Sequence, residues 1–366
     1  MLNAVFLLIV GGIVLVLGAE ILVRNASKLA ATFGISSLVI GLTVVAFGTS
    51  APELAVSTRA ALLGNPTIAL GNVVGSNVFN ILFILGISAL ITPLTVSVQL
   101  IRWDVPLMVA SSVLVYLMAL NGVIGREEGL VLLVLLVAYN GFVIRRARNE
   151  SLPGDSIVVP DEVPNSTRAR LLMLALILVG LALLVAGSTW FIEGAIFIAL
   201  AWGVSEVVVG LTLVAGGTSL PEVATSIVAS LRGERDMAVG NIVGSNIFNL
   251  LAVLSVGAMV SPIGMPIPAS SLLFDLPVMV VAAVACLPIF FTGALVSRWE
   301  GGVFLAYYVA FIVYLLLDAT QSPYLLNYRT TLFVFVVPLT ALTLFVIAYR
   351  EWKSRRSSTP PANHPA

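Results

Sequence analysis

Apolar side chains fill long continuous stretches of the chain, and polar or charged residues gather in the short segments between them. Eleven apolar stretches of about 18 to 27 residues are present, and such lengths carry an α-helix across the roughly 30 Å hydrocarbon core of a bilayer. A β-barrel would instead show short strands in which apolar and polar residues alternate. The pattern predicts an all-α polytopic membrane protein, with spans at 3–23, 36–62, 67–93, 103–121, 128–145, 169–191, 205–231, 237–261, 272–292, 300–318 and 330–349.

The composition supports this fold class and narrows the chemistry. Hydrophobic residues make up 59% of the chain and charged residues only 10%, against about 25% charged residues in soluble domains. The single cysteine, Cys286, gives no disulfide framework, and the single histidine, His364, lies in the C-terminal tail. A histidine-based metal site and Ser-His-Asp or Cys-His catalysis are therefore excluded. We expect no enzyme activity, no cofactor and no nucleic-acid partner, with a lipid bilayer as the surroundings.

The positive charges predict the orientation of the chain in the membrane. If the N-terminus is external, 15 of the 18 Lys and Arg residues fall on the cytoplasmic side, as the positive-inside rule requires. Omitting or adding one span would destroy this asymmetry from that point onward. The sequence therefore predicts a multi-pass protein of the plasma (inner) membrane with a cytoplasmic C-terminus, a cytoplasmic linker at 147–168 and a disordered tail at 351–366.

Two sequence blocks recur at a spacing of 169 residues. Residues 41–53, which end in Gly-Thr-Ser-Ala-Pro-Glu, align without gaps with 210–222, and residues 71–80 align with 240–249. The blocks lie in two halves of five spans each, 1–146 and 169–320. Because five is an odd number, the second half enters the membrane in the opposite orientation, which is typical of secondary transporters. The region 321–350 adds a probable eleventh helix outside the repeat.

The first block predicts a broken helix. The span 36–62 would form about 40 Å of continuous helix, more than the bilayer core needs, so it must tilt, bend or break. Gly48 and Pro52 mark the place for a break, and Pro52 should free carbonyl oxygens near Ala46 as cation ligands. Ser50 should cap the second half-helix with its side chain, with Glu53 at capping-box spacing. The second copy offers Ala215, Ser219, Pro221 and Glu222 in the same roles.

Glu53 and Glu222 are carboxylates placed inside apolar spans. One alternative is that they only complete capping boxes at the two breaks. However, burying a carboxylate in hydrocarbon costs several kcal/mol, and such groups usually belong to ion or proton pathways. The inverted repeat would bring both near one pseudo-two-fold axis, where they repel each other unless cations or protons compensate. Two carboxylates among neutral oxygens suit Ca²⁺ or Na⁺, and the same groups can take up protons.

The second block supplies neutral oxygens. Ser76 and Asn80 lie four residues apart on one helical face, and Ser245 and Asn249 match them, so we expect these four to be cation ligands rather than only interhelical hydrogen-bonding groups. The block's glycines, at GxxxG spacing, are better explained by close helix packing. Structural hydrogen bonds are expected for Asn72, Asn77, Asn241 and Asn246.

Other charges in or near the spans are expected to have local roles. Glu20 lies four residues before Arg24, a spacing that predicts an ion pair within one helix. Asp104 lies at the end of a span and is expected at the membrane interface.

The paired blocks resemble the α-repeats of the calcium/cation antiporter superfamily, in particular the prokaryotic sodium/calcium exchanger type. The motifs cover residues 41–90 and 210–259. The resemblance implies secondary active exchange of Ca²⁺ for Na⁺ by alternating access, in which the first and sixth helices slide past the rest. It also implies ions bound at mid-membrane by Glu53, Glu222, Asn80, Ser50, Ser76, Ser219, Ser245, Thr49 and Thr218, with backbone oxygens of Ala46 and Ala215.

Two departures from the family pattern bear on the ions. Some exchangers of this type have Asp where Asn249 stands, so this chain has one ionisable group fewer, and ten helices are usual where we predict eleven. Exchange of Ca²⁺ or another cation for H⁺ at the same glutamates is the close alternative. A cation channel is less favoured, and a membrane-embedded enzyme is remote because no catalytic set or nucleotide-binding loop is visible.

Overall fold

The computed structural model describes residues 1–149, 166–291 and 293–343. Most of the predicted linker and the whole predicted tail lie outside these residues. The helices are α1 (Leu2–Phe33), α2 (Ser37–Thr49), α3 (Ala51–Leu62), α4 (Pro66–Ile91), α5 (Leu100–Ala119), α6 (Arg126–Asn149), α7 (Thr167–Ala201), α8 (206–217), α9 (Leu220–Leu231), α10 (Arg235–Val260), α11 (Ser271–Phe291), α12 (Arg298–Ala319) and α13 (325–343). The strands are β1 (Leu94–Thr95), β2 (Val123–Ile124), β3 (Met265–Pro266) and β4 (Leu295–Val296).

The prediction of a polytopic helical membrane protein is confirmed. Within the described residues, eight helices are long and apolar enough to cross a bilayer, and the bent pair α2 and α3 forms a ninth candidate span. The predicted seventh span corresponds to α8 and α9. The predicted eleventh span corresponds to α13, except for 344–349, which lie outside the described residues.

The order of elements in the first half recurs in the second. The π-helical turns Gly41–Val45 and Phe79–Leu85 have counterparts at Gly210–Val214 and Asn249–Val253. The helices after the two breaks, α3 and α9, are both 12 residues long and start 169 residues apart. The repeat seen in the sequence is therefore also a repeat of local backbone structure.

Two short antiparallel ladders join the halves. Leu94 of β1 pairs with Val296 of β4, and Val123 of β2 pairs with Pro266 of β3. With the predicted spans, six crossings separate β1 from β4 and four separate β2 from β3. Both numbers are even, as they must be if paired loops lie on the same side of the membrane. The ladders are thus consistent with the predicted crossings between residues 94 and 296.

The centre of the bundle is formed by α4 and α10. Of the 18-residue apolar segment of each helix, 72% is buried in α4 and 89% in α10. In α6 and α12 only 17% is buried, and these helices face the surroundings. Both central helices contain the second sequence block, with its asparagines and serines. Polar side chains are unfavourable in contact with lipid, so the helices that contain them occupy the interior.

Helices α1 and α7 make the most extensive interhelical contact in the described part of the chain. Gly11 and Gly18 of α1 face Gly187 and Gly180 of α7, and Gly194 of α7 lies against Ala4 and Leu8. The glycines in contact recur every seven residues on each helix. A Cβ atom added at Gly187 would lie 2.5 Å from a backbone nitrogen of α1. The two backbones are therefore in direct contact, as small residues allow in membrane helices.

The predicted ion pair between Glu20 and Arg24 is wrong. Glu20 instead pairs with Arg232, 2.5 Å away, in the connection between α9 and α10. In the same connection, Glu234 accepts hydrogen bonds from Ser27 of α1 and, at 2.8 Å, from the first residue of α2. The side chain of Glu20 thus reaches a neighbouring element, and α1 is tied to the α9–α10 connection by charged groups.

The prediction that Asp104 lies at the membrane interface is also wrong. Its side chain is fully buried, and it accepts hydrogen bonds from Tyr139 of α6 at 3.1 Å and from Gln99 at 3.3 Å. These donors replace the water that an interfacial carboxylate would bind, so Asp104 joins α5 to α6.

We expect Gly187→Ala to destabilise the protein by about 1–3 kcal/mol, because the added methyl group would meet backbone rather than a movable side chain. Thermal unfolding of purified protein in detergent measures the effect. Gly12→Ala is the matched control on the same interface, since its Cβ would lie 3.6 Å from the nearest atom. Equal melting temperatures for both variants would contradict the close contact.

Candidate cation-binding site

Two broken helices form the site. The axes of α2 and α3 differ by 43° at Ser50, and α8 and α9 are interrupted at the equivalent Ser219. Pro52 and Pro221 occupy the first turn of the following helix, where the missing N–H has no intrahelical partner to lose. The prediction that these spans break is confirmed.

The two serines at the breaks bind the opposite half of the protein. Ser50 donates a hydrogen bond to Glu222 Oε1 at 2.8 Å, and Ser219 donates one to Glu53 Oε1 at 2.7 Å. Neither serine caps its own helix with its side chain, so the predicted capping boxes are wrong. A buried carboxylate needs hydrogen-bond donors, and each serine hydroxyl is in reach of one across the interface.

Both glutamates are completely buried. Each lies in the first turn of the helix after its break, where the helix dipole stabilises a negative charge. The two carboxylates are close enough to repel each other, and within the described residues neither forms an ion pair with Lys or Arg. Their Oε2 atoms have no hydrogen-bond partner there.

Further buried oxygens lie beside the carboxylates or on turns that pack against their helices. Ser76 lies beside Glu53, and Ser245 donates to Glu222 Oε1 at 3.4 Å. The turn with Asn80 packs against α9, and the turn with Asn249 packs against α3. Within the described residues, buried oxygens without a hydrogen-bond partner include Glu53 Oε2, Glu222 Oε2, Ser76 Oγ, Asn80 Oδ1 and Asn249 Oδ1. Because buried polar atoms are normally hydrogen-bonded, this set fits ligation of a cation.

Thr49 and Thr218 are held by the asparagines for which we predicted structural roles. Thr49 donates to Asn241 Oδ1 at 3.1 Å, and Asn241 Nδ2 donates to Ser226 at 3.1 Å. The corresponding relay of Thr218, Asn72 and Ser57 has distances of 3.2 and 2.9 Å. Each relay connects the broken helix of one half to helices of the other half, and the structural roles of Asn72 and Asn241 are confirmed.

The backbone at Ala46 differs from the prediction. Its carbonyl oxygen accepts the N–H of Ser50 at 3.0 Å, so Pro52 does not free it. The α-helical partner of Ala46 is the residue four positions later, which is Ser50 and not the proline. Ala215 begins the equivalent turn before the second break.

Two serines of the site region were missed by sequence reasoning. Ser57 and Ser226 are fully buried members of the threonine–asparagine relays, each four residues after a glutamate. They are also 169 residues apart. Extending the repeat comparison beyond the glutamates would therefore have found them.

The donor set defines what the site can hold. It combines two carboxylates with hydroxyl and amide oxygens, and no group of three His, Cys, Asp or Glu side chains in the described ranges could hold a metal ion. Oxygen ligands suit hard cations such as Ca²⁺ and Na⁺, whereas transition metals favour nitrogen and sulfur.

Comparisons with known proteins agree with this chemistry. A family model described as sodium/calcium exchanger protein matches residues 3–145 and 172–317. The inner membrane protein YrbG of Escherichia coli is 40% identical over 264 residues, which are 72% of this chain and 81% of that protein. The sodium/calcium exchanger MaX1 of Methanosarcina acetivorans is 33% identical over 342 residues, covering 84% and 97%.

A solved structure of the sodium-calcium exchanger NCX_Mj is also similar. It aligns with a TM-score of 0.73 and 31% identity, over 85% of this chain and 98% of that one.

We expect Ca²⁺ and Na⁺ to raise the melting temperature of the purified protein, because an ion that binds only the folded site stabilises it. The gain would be about 2.7 kcal/mol at about 100 times the Kd. The double variant Glu53→Gln with Glu222→Gln should lose the response, whereas Glu127→Gln, an exposed carboxylate, should keep it. A full response in the double variant would place the bound cation elsewhere.

Proposed function

Because this chain belongs to the sodium/calcium exchanger protein family, we propose that it exchanges Ca²⁺ for Na⁺ at a site between Glu53 and Glu222. Members of this family are membrane transporters and not enzymes. The observation that carries the proposal is the pair of buried carboxylates, each held by a serine of the other half and each with one unpartnered oxygen within the described residues.

The charge of this pair accounts for exchange rather than one-way flow. Two carboxylates at membrane depth are strongly destabilised when ionised and uncompensated. One Ca²⁺ or a set of Na⁺ ions neutralises them, and both use the same oxygens, so the two ions compete. The protein can then rearrange with either Ca²⁺ or Na⁺ bound but not with an uncompensated site. The movement of one ion in one direction is thereby coupled to the movement of the other ion in the opposite direction.

The geometry also ties ion binding to movement between the halves. The bonds from Ser50 to Glu222 and from Ser219 to Glu53 join the breaks directly. We infer that a shift of one half relative to the other changes the ligand positions at both glutamates together. The close backbone contact of α1 with α7 would let these two helices move together as one unit past the rest.

We further propose that the halves 1–146 and 169–320 are inverted repeats, with 147–168 and 351–366 as linker and tail on the cytoplasmic side. The N-terminus would then be external, in the plasma (inner) membrane. The distribution of Lys and Arg supports this orientation, and the pairing of β1 with β4 and of β2 with β3 supports the number of crossings between residues 94 and 296.

Exchange of Ca²⁺ for H⁺ is the second candidate, because protons would neutralise the same two carboxylates. The neutral hydroxyl and amide oxygens favour Na⁺, since they can ligate a cation but contribute no proton site near neutral pH. The related proteins MaX1 and NCX_Mj are described as sodium/calcium exchangers, which supports the same choice.

We expect proteoliposomes to accumulate Ca²⁺ when an outward Na⁺ gradient is imposed, and not when a pH gradient is imposed alone. Uptake of ⁴⁵Ca²⁺ measures both conditions. Glu53→Gln and Glu222→Gln should each reduce uptake about 100-fold or more, since losing one carboxylate removes a charged ligand worth several kcal/mol at this depth. Glu127→Gln should be unaffected. Uptake driven by pH and indifferent to Na⁺ would replace this proposal with proton exchange.

We expect Asn249→Asp to change the ion dependence of exchange, because it adds a third ionisable group to the site. The ratio of half-saturating Na⁺ and Ca²⁺ concentrations should shift about tenfold, and transport should become more sensitive to acid. Asn246→Asp, on the same helix, should leave that ratio unchanged in folded protein. If Asn249→Asp alters neither selectivity nor pH dependence, Asn249 is not a ligand.

A further inference from the structure

The side-chain amide of Asn249 is held by one partner. Its Nδ2 donates a hydrogen bond to Asn77 Oδ1 at 3.2 Å, and both side chains are buried. Its Oδ1 has no hydrogen-bond partner among the described residues. An amide has a donor end and an acceptor end, and only the acceptor end can ligate a cation. Because Asn77 binds the NH₂ group of Asn249, the oxygen of Asn249 is left for the cation site.

Asn77 is oriented in turn by Met279 of α11. Asn77 Nδ2 lies 3.7 Å from the Met279 sulfur, within the range of a hydrogen bond to sulfur. A thioether accepts hydrogen bonds but has no hydrogen to donate. The NH₂ end of Asn77 must then face Met279, and its oxygen must face Asn249. The three residues form a relay with one direction, from the sulfur to the ion site.

The other half contains the same residue types without this relay. At the 169-residue spacing, the residues equivalent to Asn77 and Asn249 are Asn246 and Asn80. Met108 is equivalent to Met279 at a spacing of 171, since each lies four residues after the aspartate that ends a π-helical turn, Leu100–Asp104 or Ser271–Asp275. Asn246 donates to a backbone carbonyl of its own helix at 2.7 Å. Both amide atoms of Asn80 lack a partner within the described residues. The two halves therefore hold their asparagines in different ways.

We propose that Asn77 is a positioning residue, which fixes the amide of Asn249 so that its oxygen faces the transported cations. This inference rests on the proposed exchange function. The oxygen of Asn249 is oriented toward the site by Asn77, whereas the amide of Asn80 has no such partner within the described residues and is oriented only by the cation that binds. Without Asn77, the amide of Asn249 would turn its NH₂ group toward the cation in part of the molecules, and cation binding would weaken.

The test is a double-mutant cycle between positions 77 and 249. Asn77→Leu keeps the size of the side chain and removes the acceptor. We expect the half-saturating concentration of Na⁺ or Ca²⁺ to rise about tenfold, with a much smaller change in the maximal rate. Asn249→Asp replaces the amide by a carboxylate, which presents an oxygen to the cation in either orientation. In that background, Asn77→Leu should change the half-saturating concentrations less than about threefold.

A purely structural role for Asn77 would give the same loss in both backgrounds, and that result would overturn the proposal. An unchanged half-saturating concentration in Asn77→Leu with normal exchange would also overturn it. If the unmodified protein shows no exchange of Ca²⁺ for Na⁺, the proposed function fails instead. In that case, melting-temperature titrations with Na⁺ and Ca²⁺ still test the role of Asn77 in cation binding.

Met279→Leu tests the same relay without altering Asn77, which matters if Asn77→Leu does not fold. It conserves volume and removes only the sulfur acceptor, so we expect a smaller rise in the half-saturating concentration than in Asn77→Leu. Met108→Leu is the matched control, at the equivalent position of the half that lacks the relay. Equal behaviour of the two methionine variants would contradict the directed relay.

Discussion

A buried carboxylate is stable only where donors, protons or cations replace the water it has lost, and Glu53 and Glu222 are both completely buried. Much of the structure around Glu53 and Glu222 follows from that requirement. The helix breaks place the carboxylates in the first turns of α3 and α9, and serine hydroxyls supply one donor to each. The most deeply buried spans, α4 and α10, supply amide and hydroxyl oxygens in place of water.

Neither half of the protein can stabilise its glutamate alone. Glu53 depends on Ser219, Glu222 depends on Ser50, and the two threonine–asparagine relays also cross the interface. Similar residues in the two halves nevertheless have different partners, as the asparagine pairs show. The sequence repeat thus supplies matching side chains, and tertiary packing decides which of them is held by a protein partner.

The fold class, the broken helices and the burial of both glutamates could be predicted from the sequence. Hydropathy and proline position are local features of the chain, and the 169-residue repeat is visible by comparing the sequence with itself. The wrong predictions concern partners. The sequence predicts that Ser50 caps its own helix and that Glu20 pairs with Arg24. Their observed partners lie 172 and 212 residues away, beyond what helical spacing can indicate. Asp104 shows the same limit, since a span-end position does not reveal that Tyr139 will cover it.

The bond between Ser219 and Glu53 also has a consequence for biosynthesis. The serine follows the glutamate by 166 residues, and at about 5–20 residues per second the ribosome takes roughly 8–30 s to reach it. During that interval Glu53 is synthesised and inserted without its serine donor and without the opposing carboxylate. Its carboxylate must then be stabilised by water, a proton or a cation. The order of synthesis therefore leaves the first glutamate for a time without its cross-half serine, whereas the serine partner of the second is already made.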